Sequence, residues 1–137
     1  MIRRGALLLA LAPVLALAGC ASTAEQPACP AGQERLRTAQ LFLGGKAIGR
    51  SVKEAEIARF VDEEVTPRFP DGVTVLDGGA QWRGPEDVLL REAQKVVLIV
   101  LPADGAPKRM EAVRAAYKTR FKQDSVVTVT QAACVAH

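Results

Sequence analysis

The run Val96-Val97-Leu98-Ile99-Val100-Leu101, entered from Lys95 and stopped by Pro102, constrains this chain more than any other feature. It is rich in β-branched residues, too short for a buried helix, and apolar at odd and even positions alike. Such a run predicts a strand buried on both faces, at the centre of a sheet. Leu41-Phe42-Leu43, ending at Gly44-Gly45, has the same character and predicts a second central strand. Two such strands require helices over one face of the sheet and some cover over the other.

Around them the elements alternate. Residues 40–44 form the first strand. Ser51 and Glu54 make an S-x-x-E capping box, opening a helix over 52–66 with Ile57, Phe60, Val61 and Val65 on one face and Pro67 at its end. Residues 73–77 predict a strand that Gly78-Gly79 bends or bulges before Gln81-Trp82-Arg83 continues it. Gly84-Pro85-Glu86-Asp87 is a turn, followed by strand residues 88–92 and the run at 95–101. Pro107 opens a second helix to Lys122, striped by Met110, Val113, Tyr117 and Phe121, and 125–130 is the last strand. With right-handed crossovers this order predicts an α+β, ferredoxin-like βαββαβ fold: a single four-stranded antiparallel sheet with two helices on one face. If Val96, Leu98 and Val100 face the helices, then Val97, Ile99 and Leu101 join Phe42 on the open side. An apolar open face predicts a homodimer packed sheet against sheet, with the N-terminal tether folding back over it as the monomeric alternative.

Arg3 and Arg4 precede an apolar run at 6–18 that is too short for a stable membrane span, which is the pattern of a secretory signal. Its end, Leu17-Ala18-Gly19-Cys20, resembles the lipobox of bacterial lipoproteins. The resemblance implies cleavage before Cys20, acylation of that residue, and anchoring by two or three chains at about 0.8 kcal/mol per buried methylene. The expected division is a signal peptide over 1–19, the lipidated Cys20 and a tether over 20–38, and one α+β domain over 39–137. The expected location is the bacterial cell envelope, on the exported side of a membrane. Ala21 and Ser22 after the cysteine, without an Asp, lean towards the periplasmic face of the outer membrane. Removing 1–19 takes away two of 18 basic and none of 15 acidic residues, so the mature charge is 16 − 15 = +1. Lipidation of Cys20 leaves Cys29 and Cys134, which flank the first and last strands and predict a disulfide. A free redox thiol or an intermolecular bridge are the alternatives.

Several chemistries find little support. The stretch FLGGKAIGRS misses the phosphate-cradling G-x-x-x-x-G-K-[ST] pattern by one residue, with Arg50 where the lysine belongs and no Mg-binding Asp after a parallel strand. It reads as a loop, and no nucleotide is expected. The only histidine is His137 and no C-x-x-C pair exists, so no metal, no cofactor and no catalytic residue is assigned. The second helix carries a net charge of +5 and the first −3, which on this fold predicts mutual attraction, with contact to lipid head groups as the second reading. The central strands offer Phe42 alone for stacking bases, and nucleic acid is not expected. Trp82, Arg83 and Glu92 are the ligand-binding candidates. The only tryptophan could stack a sugar or an aromatic ligand, or it could cover the end of a small core beside an Arg83–Glu92 ion pair.

The stretches EEVTPRFPDGVTVLDGGAQWRG, REAQKVVLIV and AAYKTRF resemble the bacterial family known as domain of unknown function 3574, over residues 39–134. That family is named for having no assigned activity, so the resemblance implies no catalytic residue. The expected function is a membrane-anchored envelope lipoprotein acting as a small non-catalytic binding or assembly module. The alternative is a cofactor-free enzyme or small-ligand binder of the dimeric ferredoxin-like type. A pocket lined by Trp82, Arg83 and Glu92 would favour the second reading, and a filled core with an apolar open face the first.

Overall fold

The computed structural model describes residues 27–47 and 50–137; the expected signal peptide, Cys20 and the first part of the expected tether, to residue 26, lie outside them. Strand β1 (Glu34–Gly44) leads through two short strands, β2 (Lys46–Ala47) and β3 (Arg50–Ser51), into helix α1 (Glu54–Phe60). Strands β4 (Thr74–Arg83) and β5 (Leu89–Leu101), helix α2 (Pro107–Phe121) and strand β6 (Val127–Val135) follow. The main sheet has the order β4-β5-β1-β6 with every neighbouring pair antiparallel, which is the ferredoxin-like arrangement the element order predicts.

The two strands with apolar runs are the central ones, β5 and β1. Ala39, Leu41 and Leu43 on β1 and Val97, Ile99 and Leu101 on β5 are buried under the helices. They meet Ile57, Phe60, Val61 and Val65 from the first helical segment and Met110, Val113, Tyr117 and Phe121 from α2, the two stripes expected from the 3.6-residue period. Each large side chain buried there contributes about 1.5–3 kcal/mol. The centre is aromatic: Phe60 meets Tyr117 edge-on at 5.1 Å and Phe121 at 5.9 Å. Burial pushes the Tyr117 phenol up to about 12, and its hydroxyl donates to the Gly44 carbonyl at 3.1 Å.

The expected face assignment of β5 is corrected. Phe42 stands opposite Val96, and paired residues share a face, so Phe42 belongs with the even-numbered side chains Val96, Leu98 and Val100 on the open side. Val97, Ile99 and Leu101 are the buried set. A run apolar at every position carries no periodicity from which to choose.

Other boundaries also move. β1 begins at Glu34 rather than at residue 40, inside the segment expected to be tether, because Arg35 and Arg37 occupy exposed positions and hide the strand pattern. α1 is capped by Lys53, and Ser51 lies in β3. The carboxylate that turns back is Glu56, which accepts the Lys53 N–H at 2.9 Å, while Glu54 reaches Lys95. The helix continues as a π turn over Val61–Val65 and a 3-10 turn over Thr66–Arg68, so Pro67 sits in the final turn. β4 runs straight through Gly78 and Gly79, paired with Gln94 and Ala93 without a bulge, and β5 is one strand from Leu89. β6 extends to Val135.

Cys29 and Cys134 are joined in a disulfide, their Cα atoms 5.5 Å apart across 105 residues of sequence. The β1–β6 pairing puts Arg35 opposite Cys134, which brings the two ends of the domain together. The charge asymmetry of the helices is satisfied between them: Arg120 of α2 reaches Glu63 at 2.8 Å and Glu64 at 3.1 Å and lies over the Phe60 ring. Each such partly exposed pair is worth under about 1 kcal/mol.

Candidate binding surfaces

The face of the sheet opposite the helices carries a row of apolar side chains. Leu76 pairs with Val96, Val96 with Phe42 and Phe42 with Val127, so one apolar row crosses all four strands on that side. Its ends are wet: Leu76 is 49% exposed and Val127 61%. The next row, Thr74, Leu98, Gln40 and Val129, mixes apolar and amide groups. Towards the disulfide end a groove of about 710 Å³ opens between Thr74, Leu98, Val100 and the tail bearing His137.

The β4–β5 hairpin outruns the sheet. β1 pairs with β5 only as far as Gly44 opposite Gln94, whereas β4 accompanies β5 back to Leu89, so residues 79–83 and 89–93 form a two-stranded arm. A free two-stranded ribbon is marginal in water, and the arm's Trp82 and Leu89 are each 41% exposed. Trp82 stands on this arm opposite Leu90 and is 41% exposed, so it does not cover the core. Of the three ligand candidates the structure brings together Trp82 and Glu92, which share the open face through their partners Leu90 and Ala80. Arg83 points to the other side and pairs with Asp87 at 3.0 Å, in place of the expected ion pair with Glu92. The trio therefore does not form one pocket.

A groove of about 520 Å³ lies across the ends of the helices, lined by Arg50, Arg59, Arg120 and Lys122 with Glu56 and Glu63. Glu56 accepts two hydrogen bonds of 2.7 Å from Arg50, and these hold its carboxyl down at about 2. Arg50, the residue in the lysine position of the phosphate-loop pattern, is thus engaged by the chain itself. Sequence reasoning missed this groove because its residues come from β3, α1 and α2, which no linear motif connects. Among the described residues no group of three or more His, Cys, Asp or Glu is placed to hold a metal, and no helix is long and apolar enough to cross a membrane.

The stretch TPRFPDG has a structural explanation. Arg68 bonds the Glu64 carbonyl at 2.7 Å and its carboxylate at 2.8 Å, Phe69 is buried beneath Arg109, and Gly72 takes φ +127, where a side chain would strain the backbone. These contacts close the turn from the helix into β4.

The described residues form a disulfide-closed ferredoxin-like domain with a core on the helix side of the sheet and an apolar row on the other. The chain belongs to the family described as "Protein of unknown function (DUF3574)", which matches residues 38–137. No curated protein matches it. Among solved structures, the phage SAM lyase in complex with S-methyl-5'-thioadenosine is similar at 13% identity, over 81% of this chain and 95% of its own, with a TM-score of 0.52. Its apo state is similar at 15% identity over 75% and 90%, with the same TM-score. CutA1 from Oryza sativa follows at 13% identity over 77% and 84%, with a TM-score of 0.47. At these identities the lyase likeness shows the fold alone, and its activity does not carry over.

Proposed function

We propose that this chain is a membrane-anchored envelope lipoprotein acting as a non-catalytic binding or assembly module, with the open sheet face as its binding surface. The observation that carries this reading is the contrast between the two sides of the sheet. The helix side is filled by a continuous core, while on the other side the helices leave uncovered one apolar row whose ends, Leu76 and Val127, are exposed and whose middle, Val96 and Phe42, is half-buried. Apolar patches of several hundred Å² on soluble domains are typically interaction sites. The joined Cys29 and Cys134 support an oxidising compartment. The small-ligand reading has less support, since Trp82 and Arg83 lie on opposite faces of the arm.

The anchor rests on Leu17-Ala18-Gly19-Cys20, outside the described residues. Eight residues separate Cys20 from Cys29, and at about 3.5 Å each they span at most about 28 Å, so the disulfide end of the domain stays near the bilayer. The lean to the periplasmic face of the outer membrane belongs to this proposal. The Cys20→Ser chain is expected to lose radiolabelled palmitate and to leave the membrane fraction. Equal labelling of variant and native chain would overturn the anchor.

A further inference from the structure

We propose that the occupant of the open face is a second copy of this chain, packed sheet against sheet about a two-fold axis that runs along the strands. This rests on the binding-module reading above and names its partner. Three observations favour a second copy over other occupants.

The first is charge. Along β4, β5, β1 and β6 the open-face positions carry no Lys or Arg, and their two carboxylates, Glu34 and Glu92, stand at the start of β1 and on the arm, away from the centre. A face meeting its own copy must avoid like charges opposite each other, whereas a face steered to a foreign partner usually bears a charge pattern. The helix side of this domain, with its acidic and basic helices, shows that the chain does not lack charge elsewhere.

The second is complementarity of the apolar row. A two-fold axis along the strands turns the order Leu76, Val96, Phe42, Val127 end for end. Leu76 then lies on the partner's Val127 and Val96 on the partner's Phe42, so each wet end of the row meets the other. All four strands lie side by side only over the rows of Leu76 and Thr74, so the flat overlap about this axis is on the order of 300–400 Å², and the match of the row carries the pairing rather than area.

The third is the composition of the chain that precedes Cys29. If Cys20 is the mature first residue, the segment available to fold back is Cys-Ala-Ser-Thr-Ala-Glu-Gln-Pro-Ala, which has no large apolar side chain to lay on the row. Anchoring also fits the axis. Two copies held in one bilayer by the same end must lie with their strands pointing the same way, and a two-fold along the strands provides that. Confinement to a surface further raises the effective concentration of one copy for the other.

The test is a charge swap read by mass. The chain is extracted from membranes in density-matched detergent, and sedimentation gives the protein mass at tens of micromolar. The native chain is expected at the mass of two chains. Leu76→Lys and Val127→Glu each bury an unpaired charge in the interface and should weaken self-association on the order of 100-fold or more. Both sites are about half exposed in the single domain, so neither change should prevent folding, which far-UV circular dichroism checks. The double variant Leu76→Lys with Val127→Glu should regain the two-chain mass, because each lysine meets the partner's glutamate. Within one chain these positions sit on opposite edge strands, about 14 Å apart, and cannot pair. Ala55→Lys on α1 should leave the mass unchanged. A native chain of one-chain mass, a two-chain mass that the single variants leave intact, or a double variant that stays monomeric would each overturn the proposal. The readout is independent of the anchor, so failure of the Cys20 prediction and failure of the dimer are separately visible.

Discussion

Replacing Cys29 and Cys134 together by serine is expected to lower the stability of the domain by about 4 to 5 kcal/mol. The bond closes a loop of 105 residues, and in the chain-entropy model a loop of that size removes about 4.7 kcal/mol of freedom from the unfolded chain. A domain of this length holds about 5 to 15 kcal/mol in total, so the double variant should sit near the edge of unfolding at 37 °C. The structural reason is visible in the sheet. Cys134 lies on β6, an edge strand held on one side only, and the bond fixes the far end of β6 against the start of β1. Urea unfolding of the two proteins measures the difference, and reduction of the native domain should reproduce it. A change below about 1 kcal/mol would contradict the assignment of this bond as the main clamp on the chain ends.

A loss of stability between pH 10 and pH 12 is the second large effect expected. Tyr117 is the sole tyrosine, is 1% exposed, and has its phenol raised by burial to about 12, against about 10 in an unfolded chain. A group raised in the folded state contributes its full stability below the unfolded value and loses it as the pH climbs to the folded one. Each unit is worth about 1.4 kcal/mol, so roughly 2 to 3 kcal/mol should disappear across this window. Absorbance near 295 nm should show the phenolate forming together with unfolding. Tyr117→Phe should flatten that part of the stability profile. At neutral pH it should cost about 1 kcal/mol, for the hydrogen bond to the Gly44 carbonyl. A tyrosine that ionises near pH 10 in the folded domain would contradict its placement between Phe60 and Phe121.

Where the sequence was legible, a period carried the information. The stripes Ile57, Phe60, Val61, Val65 and Met110, Val113, Tyr117, Phe121 are the buried faces of the helices, and the strand order follows once six alternating elements are placed. The side of β5 that faces the helices was not legible, because Val96 to Leu101 is apolar at every position and the choice depends on the register with β1. The start of β1 was hidden by Arg35 and Arg37, which read as linker until β6 is known to lie alongside. The capping choice between Ser51 and Lys53 turned on Arg50, whose bonds to Glu56 are local in space but depend on the β2–β3 hairpin. The status of Trp82 was a question of where β1 ends. Gly44 stands opposite Gln94, and everything of the hairpin beyond that pair projects as an arm, a non-local fact that no composition of the turn reveals. The apolar row was legible only in part: the two central runs stood out as too apolar for a solvated face, but Val96 was assigned to the helix side and Leu76 and Val127 join the row only through the registers.

Photo-crosslinking in intact cells tests the central claim most directly. A benzophenone side chain placed at position 129, on the exposed open-face end of the Gln40 row, is expected to yield an adduct of two chains on irradiation. The same group at position 55, on the solvent side of α1, should yield none. Absence of an adduct from position 129, or equal adducts from both positions, would contradict an open sheet face buried against a second copy.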